Sequence, residues 1–142
     1  MPKPKNPETF DVAGNRYIQH EDCLSLLKQA FADYRTPDPS RNFTQRIQGN
    51  QVTIYCHCHE RGLGDPGRRA LQVDAMSSLT DQYVKGLKKR YKELGGGTLK
   101  FDEIKSARGY DLQKASLNDR WEIIYRRTYE FEDLIKYPEE DW

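Results

Sequence analysis

Residues 121–132 read WEIIYRRTYEFE, the longest alternating run in the chain. In an extended strand successive side chains point to opposite faces. Trp121, Ile123, Tyr125, Arg127, Tyr129 and Phe131 therefore share one face, with Glu122, Ile124, Arg126, Thr128 and Glu130 opposite. One face is aromatic and apolar except for Arg127. A guanidinium in such a row requires a carboxylate or an aromatic partner. A half-apolar strand of this length implies a sheet with one covered face.

Working outward, a second strand is predicted over 51–59, QVTIYCHCH. Val52, Ile54, Cys56 and Cys58 fall on one side, and Thr53, Tyr55, His57 and His59 on the other. A partner strand is predicted over 42–48, with Gly49-Asn50 as the reversal. Cys23, Leu26, Leu27, Ala30, Phe31 and Tyr34 recur at helical spacing, which predicts a helix over His20–Tyr34 closed by Pro37 and Pro39. A second helix is predicted over 76–94. Its stripe is Leu79, Tyr83, Leu87, Tyr91 and Leu94, with Ser78 and Asp81 at its start and Gly95 as its cap. Gly86 inside it costs about 1 kcal/mol relative to alanine and marks a close packing contact. The glycines and proline of 60–73 read as a loop. Residues 98–105 read as a strand, and 110–114 as a short one within an irregular stretch.

Helix, hairpin, helix and further strands in that order predict an α+β fold: one antiparallel sheet with two helices packed on one face. Length supports a single domain over 16–133, preceded by an extended N-terminal arm (1–15, with Pro2, Pro4, Pro7 and Gly14) and followed by an acidic C-terminal tail (134–142). Hydrophobic residues make up only 36%, with 9 Tyr, 5 Phe and 2 Trp, so the core should be thin and aromatic. Twenty-three basic residues against 22 acidic ones exclude a general nucleic-acid coater and an acidic mimic. No apolar run reaches membrane-spanning length, and MPKPKNPETF has no apolar signal region, so a cytoplasmic protein without membrane contact is expected. Three cysteines leave one unpaired, which favours a reducing compartment.

The densest chemistry is Cys56-His57-Cys58-His59-Glu60. Two histidines on one strand face can converge on a divalent ion with an acidic third ligand. This resembles the His-hydrophobe-His strand of rolling-circle and relaxase nucleases, which cleave single-stranded DNA with a tyrosine on a following helix. The resemblance would make His57 and His59 the ligands and Tyr83 or Tyr91 the nucleophile. Cys58 is smaller than the residue usual between the histidines, however, and both tyrosines fall on the apolar helix stripe. A zinc site from residues 56–59, even with Cys23 and His20 added, conflicts with strand alternation, because adjacent side chains diverge. The favoured reading is two buried cysteines and two exposed histidines, with no metal, no cofactor and no catalytic residue. Lys85, Lys88, Lys89 and Lys92 form a basic helix stripe that could touch nucleic acid, or answer Glu130, Glu132, Asp133, Glu139, Glu140 and Asp141 on a neighbour.

Tyr125–Glu132, YRRTYEFE, together with the element order, resembles the closing strand of small virion proteins at the tail or neck of tailed phages, the tail-terminator and tail-completion proteins. That resemblance implies a non-enzymatic structural protein located in the virion. It also implies a homo-oligomer, commonly a ring, that meets neighbouring structural proteins with incidental DNA contact. Trp121, Tyr125, Arg127 and Tyr129 would be its packing or interface residues, and Arg68 and Arg69 of the 60–73 loop would reach neighbours or lumen DNA. A small regulatory protein binding through Lys85 to Lys92 is the third reading.

Overall fold

The computed structural model describes residues 9–12, 15–18, 20–34, 41–114, 120–131 and 135–136. In chain order the elements are β1 (Thr9–Val12), β2 (Asn15–Ile18), α1 (His20–Asp33), β3 (Asn42–Gln48), β4 (Gln51–Arg61) and α2 (Pro66–Glu93). After them come β5 (Phe101–Glu103), a 3-10 turn (Lys105–Ala107), β6 (Gly109–Lys114), β7 (Arg120–Phe131) and β8 (Ile135–Lys136). The fold is α+β, with two α-helices and a five-stranded antiparallel sheet among the described residues. That sheet runs β3-β4-β7-β5, and β6 also pairs with β7.

The contacts divide the chain into two compact units. One is formed by Met1–Arg35, Val84–Phe101 and Phe131–Trp142, the other by Thr36–Tyr83 and Asp102–Glu130.

In the second unit β7 is the hub. Along one edge it pairs with β4 from Gln51↔Glu130 to Arg61↔Arg120. The other edge takes β6 from Gly109↔Arg126 to Lys114↔Trp121, and β5 further along. Between β5 and β6, Arg108 grips Glu103 through Nε–Oε2 (2.9 Å) and Nη2–Oε1 (2.8 Å). These hydrogen bonds hold the Glu103 carboxyl below its ordinary range. The alternation read from sequence appears as burial. Val52, Ile54, Cys56 and Cys58 are buried, as are Ile123, Tyr125, Arg127 and Tyr129. Cys56, Cys58, Leu63, Met76, Ile123 and Tyr125 form one cluster, with Phe43, Val73, Leu112 and Trp121 against it. Each such fully buried apolar side chain contributes about 1.5–3 kcal/mol.

α2 begins at Pro66, ten residues before the expected start at 76. Pro66 and Gly67 suit a loop as well, but a proline at the first helical position forfeits an N–H that has no intrahelical partner anyway. Asp65 is the cap: its Oδ2 accepts the Arg68 N–H at 3.0 Å. Ser78 and Asp81 thus lie within the helix, and the fully or nearly fully buried stripe is Met76, Thr80, Tyr83, Val84, Leu87 and Tyr91. The expected strand over 98–105 is shorter, Phe101–Glu103.

In the first unit α1 buries Cys23, Leu27 and Ala30 at helical spacing. A Cβ at Gly86 would overlap the phenol of Tyr34, so glycine allows that ring its place. Arg90 clasps Asp33 through Nε (3.1 Å) and Nη2 (2.6 Å). Gly95, at φ 97°, ends α2: its N–H reaches Lys92 O and that of Gly96 reaches Tyr91 O, both at 3.0 Å. Phe101 and Phe131 meet edge to face at 5.9 Å. Where an arm and a tail were expected, β1 pairs with β2 and β2 with β8, at Tyr17↔Lys136 and Ile18↔Ile135. Pro2, Pro4, Pro7, Gly14, Pro37, Pro39, Glu132, Asp133 and residues 137–142 lie outside the described residues. No described helix is long and apolar enough to cross a membrane.

Candidate interaction surface

Strand alternation sorts the reactive side chains of the second unit onto two faces. On the covered face Arg127 is 2% exposed. It donates Nε to Tyr125 Oη (2.8 Å), Nη2 to Ser77 Oγ (2.7 Å) and to Ser77 O (3.1 Å), and Nη1 to Asp81 Oδ1. Its guanidinium carbon also stands 5.5 Å from the Tyr125 ring centre. Both kinds of partner demanded by its place in the row are therefore present. Burial alone would lower its pKa, but the hydrogen bonds to Asp81, Tyr129 and Tyr125 outweigh that and raise it.

Of the two roles expected for this row, packing or interface, the burial accords with packing. Tyr125, Arg127 and Tyr129 are 2–5% exposed within the chain itself, so these side chains pack and cannot also be presented to a partner. Trp121 is half-buried against the same cluster, with Lys114 Nζ 5.9 Å from its ring centre. Arg68 and Arg69 lie in the first turn of α2, not in a loop. Arg68 is exposed and its Nε donates to Glu60 Oε1 at 3.1 Å; Arg69 is half-buried. Lys85, Lys88, Lys89 and Lys92 are all exposed, as the stripe requires.

The cysteines follow alternation too. Cys23, Cys56 and Cys58 are all buried. Burial pushes the Cys23 thiol up to about 11, against a hydrogen bond with Tyr91 that lowers it, and raises that of Cys58. Such thiols stay protonated and unreactive at neutral pH.

His57 and His59 lie on the opposite, open face. His57 Nε2 is 2.9 Å from Thr44 Oγ1, and its Nδ1 is 3.7 Å from Glu122 Oε2, an ion pair when the imidazole is protonated. His59 is exposed. Among the described residues no three His, Cys, Asp or Glu side chains gather as metal ligands. The tyrosine proposed to act with the histidines is on the other side of the sheet. Tyr83 is buried, stacked on Phe43 at 4.3 Å, and accepts Gln45 Nε2 at 2.7 Å. Tyr91 is fully buried in the first unit.

The open face is a polar lattice. Thr53 Oγ1 meets Thr128 Oγ1 at 2.9 Å, and Arg126 Nη1 donates to Asp111 Oδ2 at 2.8 Å. It ends at β3, which among the described residues pairs with β4 alone. Asn42, Thr44, Arg46 and Gln48 are exposed, and Phe43, Gln45 and Ile47 half-buried. Sequence reasoning missed this strand edge, because sequence order does not give sheet order. It also missed Asp81, assigned with Ser78 to a helix start, and Ser77. Their i, i+4 spacing on one helix face was the available signal. Comparison with protein-family models, with curated proteins and with solved structures finds no match.

Proposed function

We propose that this chain is a non-enzymatic structural protein that self-associates, as the tail-terminator and neck proteins of tailed phages do, and that it works as a virion component. The observation that carries the reading is the outer edge of β3, which no described strand pairs; it is a seven-residue strand with no proline and a single charged residue, Arg46. Unpaired N–H and C=O groups along an edge are a template for another chain unless charge, a bulge or brevity blocks them. The disposition of reactive groups supports the same reading. Thiols, Tyr83 and Tyr91 are enclosed, while the β3 strand edge, the polar sheet face and the α2 lysines are accessible. Lys85, Lys88, Lys89 and Lys92 suit incidental contact with DNA phosphates. The nuclease reading is disfavoured by the burial of both tyrosines.

Sedimentation velocity at micromolar concentration tests this, alone and with candidate tail proteins. Oligomers are expected; monomer under every condition overturns the proposal. Single-stranded DNA incubated with manganese should remain intact, and cutting abolished by H57A/H59A would establish the alternative.

A further inference from the structure

The β3 edge can be read for what fits it, and we infer that its occupant is β3 of a second copy of this chain, antiparallel about a two-fold axis at Gln45. The inference rests on the self-association proposed above and specifies its contact.

Hydrogen-bond phase comes first. β3 and β4 are joined by the two-residue turn Gly49-Asn50, with Gln48 opposite Gln51. The turn bond makes that pair hydrogen-bonded, and such pairs alternate along an antiparallel ladder. Asn42, Thr44, Arg46 and Gln48 thus spend their backbone groups on β4. Phe43, Gln45 and Ile47 direct theirs outward, three N–H and three C=O.

Face comes next. A two-fold axis normal to the sheet keeps covered-face residues opposite covered-face residues, so only registers that shift in steps of two are open. Centring on Gln45 places Phe43 opposite Ile47 of the second copy, Gln45 opposite Gln45 and Ile47 opposite Phe43. All six outward groups are then satisfied. Centring on Thr44 or on Arg46 satisfies only four within the strand, and the Arg46 register also sets two guanidinium groups face to face.

Side chains agree with the Gln45 register. It joins the two half-buried apolar residues of the edge, Phe43 and Ile47, across the axis. On the open face it sets Thr44 against Arg46, with no like-charge pair. The far side of the sheet lacks this property: β6 carries exposed Asp111 and Lys114, and β5 is three residues long. Because the contact is isologous it closes a pair, and a ring would need a second, heterologous surface.

Thr44 provides the test, since it is exposed and its Oγ1 meets His57 Nε2 across the hairpin. The Gln45 register makes residue 44 the neighbour of Arg46 in the other copy, twice per pair. T44E should tighten dimerisation about 3- to 10-fold and T44R weaken it by a similar factor. T44R/R46E should restore it. Sedimentation equilibrium across roughly 1–100 μM, with circular dichroism confirming that each variant is folded, reads all three. Association indifferent to all of them overturns the β3 contact and leaves self-association standing. Weakening by T44E, from two carboxylates meeting at a Thr44 axis, overturns this register. No association by wild type or T44E overturns both.

Discussion

Arg126 and Arg127 are neighbours on β7, yet they do different work. Arg126 lies on the open face, joined to Asp111, with side chains 35% and 61% exposed. Arg127 lies on the covered face, 2% exposed, bound to Asp81, Ser77 and Tyr125. Water competes for the first pair and screens it, so it contributes little. The second has few alternatives on the Arg127 side, and removing a partner leaves that buried guanidinium, or the Ser77 and Tyr125 groups it binds, incompletely matched. One residue of strand register separates a surface ornament from a structural bolt between β7 and α2.

The largest expected effect breaks the covered side. R127A should cost about 3 kcal/mol in urea unfolding, the lower end for a disrupted buried pair because Asp81 itself is 68% exposed. A loss below 1 kcal/mol would mean that the contrast between the arginines is one of position only.

Next is pH. A buried thiol favours its neutral form, so the stability that Cys23 contributes is whole below its ordinary 9.0 and lost as pH rises toward about 11. The alkaline loss should reach about 2 kcal/mol and vanish from the pH slope of C23A, whatever that variant's baseline. Denaturant midpoints measured from pH 8 to 11 read it.

Y83F removes the hydroxyl that accepts Gln45 and should cost about 1 kcal/mol while the Phe43 stack persists. R126A should change stability by less than about 0.5 kcal/mol. If R126A matched R127A in the same urea titration, the open face would be as tightly bound as the covered one.

The strands of the second unit were legible because burial on one face writes a period of two into 51–59 and 121–132. The same period put Cys56 and Cys58 inside and His57 and His59 outside, and showed that Arg127 needed a partner. What it could not show was which partner. Asp81 is 46 residues away on a helix, and its i, i+4 spacing from Ser77 does not say which strand residue it meets. The start of α2 was hidden because Pro66 and Gly67 serve equally in loops and in first helical turns. β1, β2 and β8 were missed because runs of two to four residues carry too little periodicity. For the same row, strand alternation indicated a contacted surface but not by what. The aromatic residues meet the chain's own helix, and the accessible part of the sheet is its other face and its edge.

β7 has a further consequence for how the protein is made. Its pairing with β4 joins residues as far apart as Gln51 and Glu130. On a ribosome, β4 is complete about 70 residues before β7 is. At roughly 5–20 residues per second that leaves some 4–14 s in which one side of β4 has no strand beside it. During that interval Val52, Ile54, Cys56 and Cys58 form an incompletely covered row. The last strand of the large sheet to be translated is the one that ends this exposure.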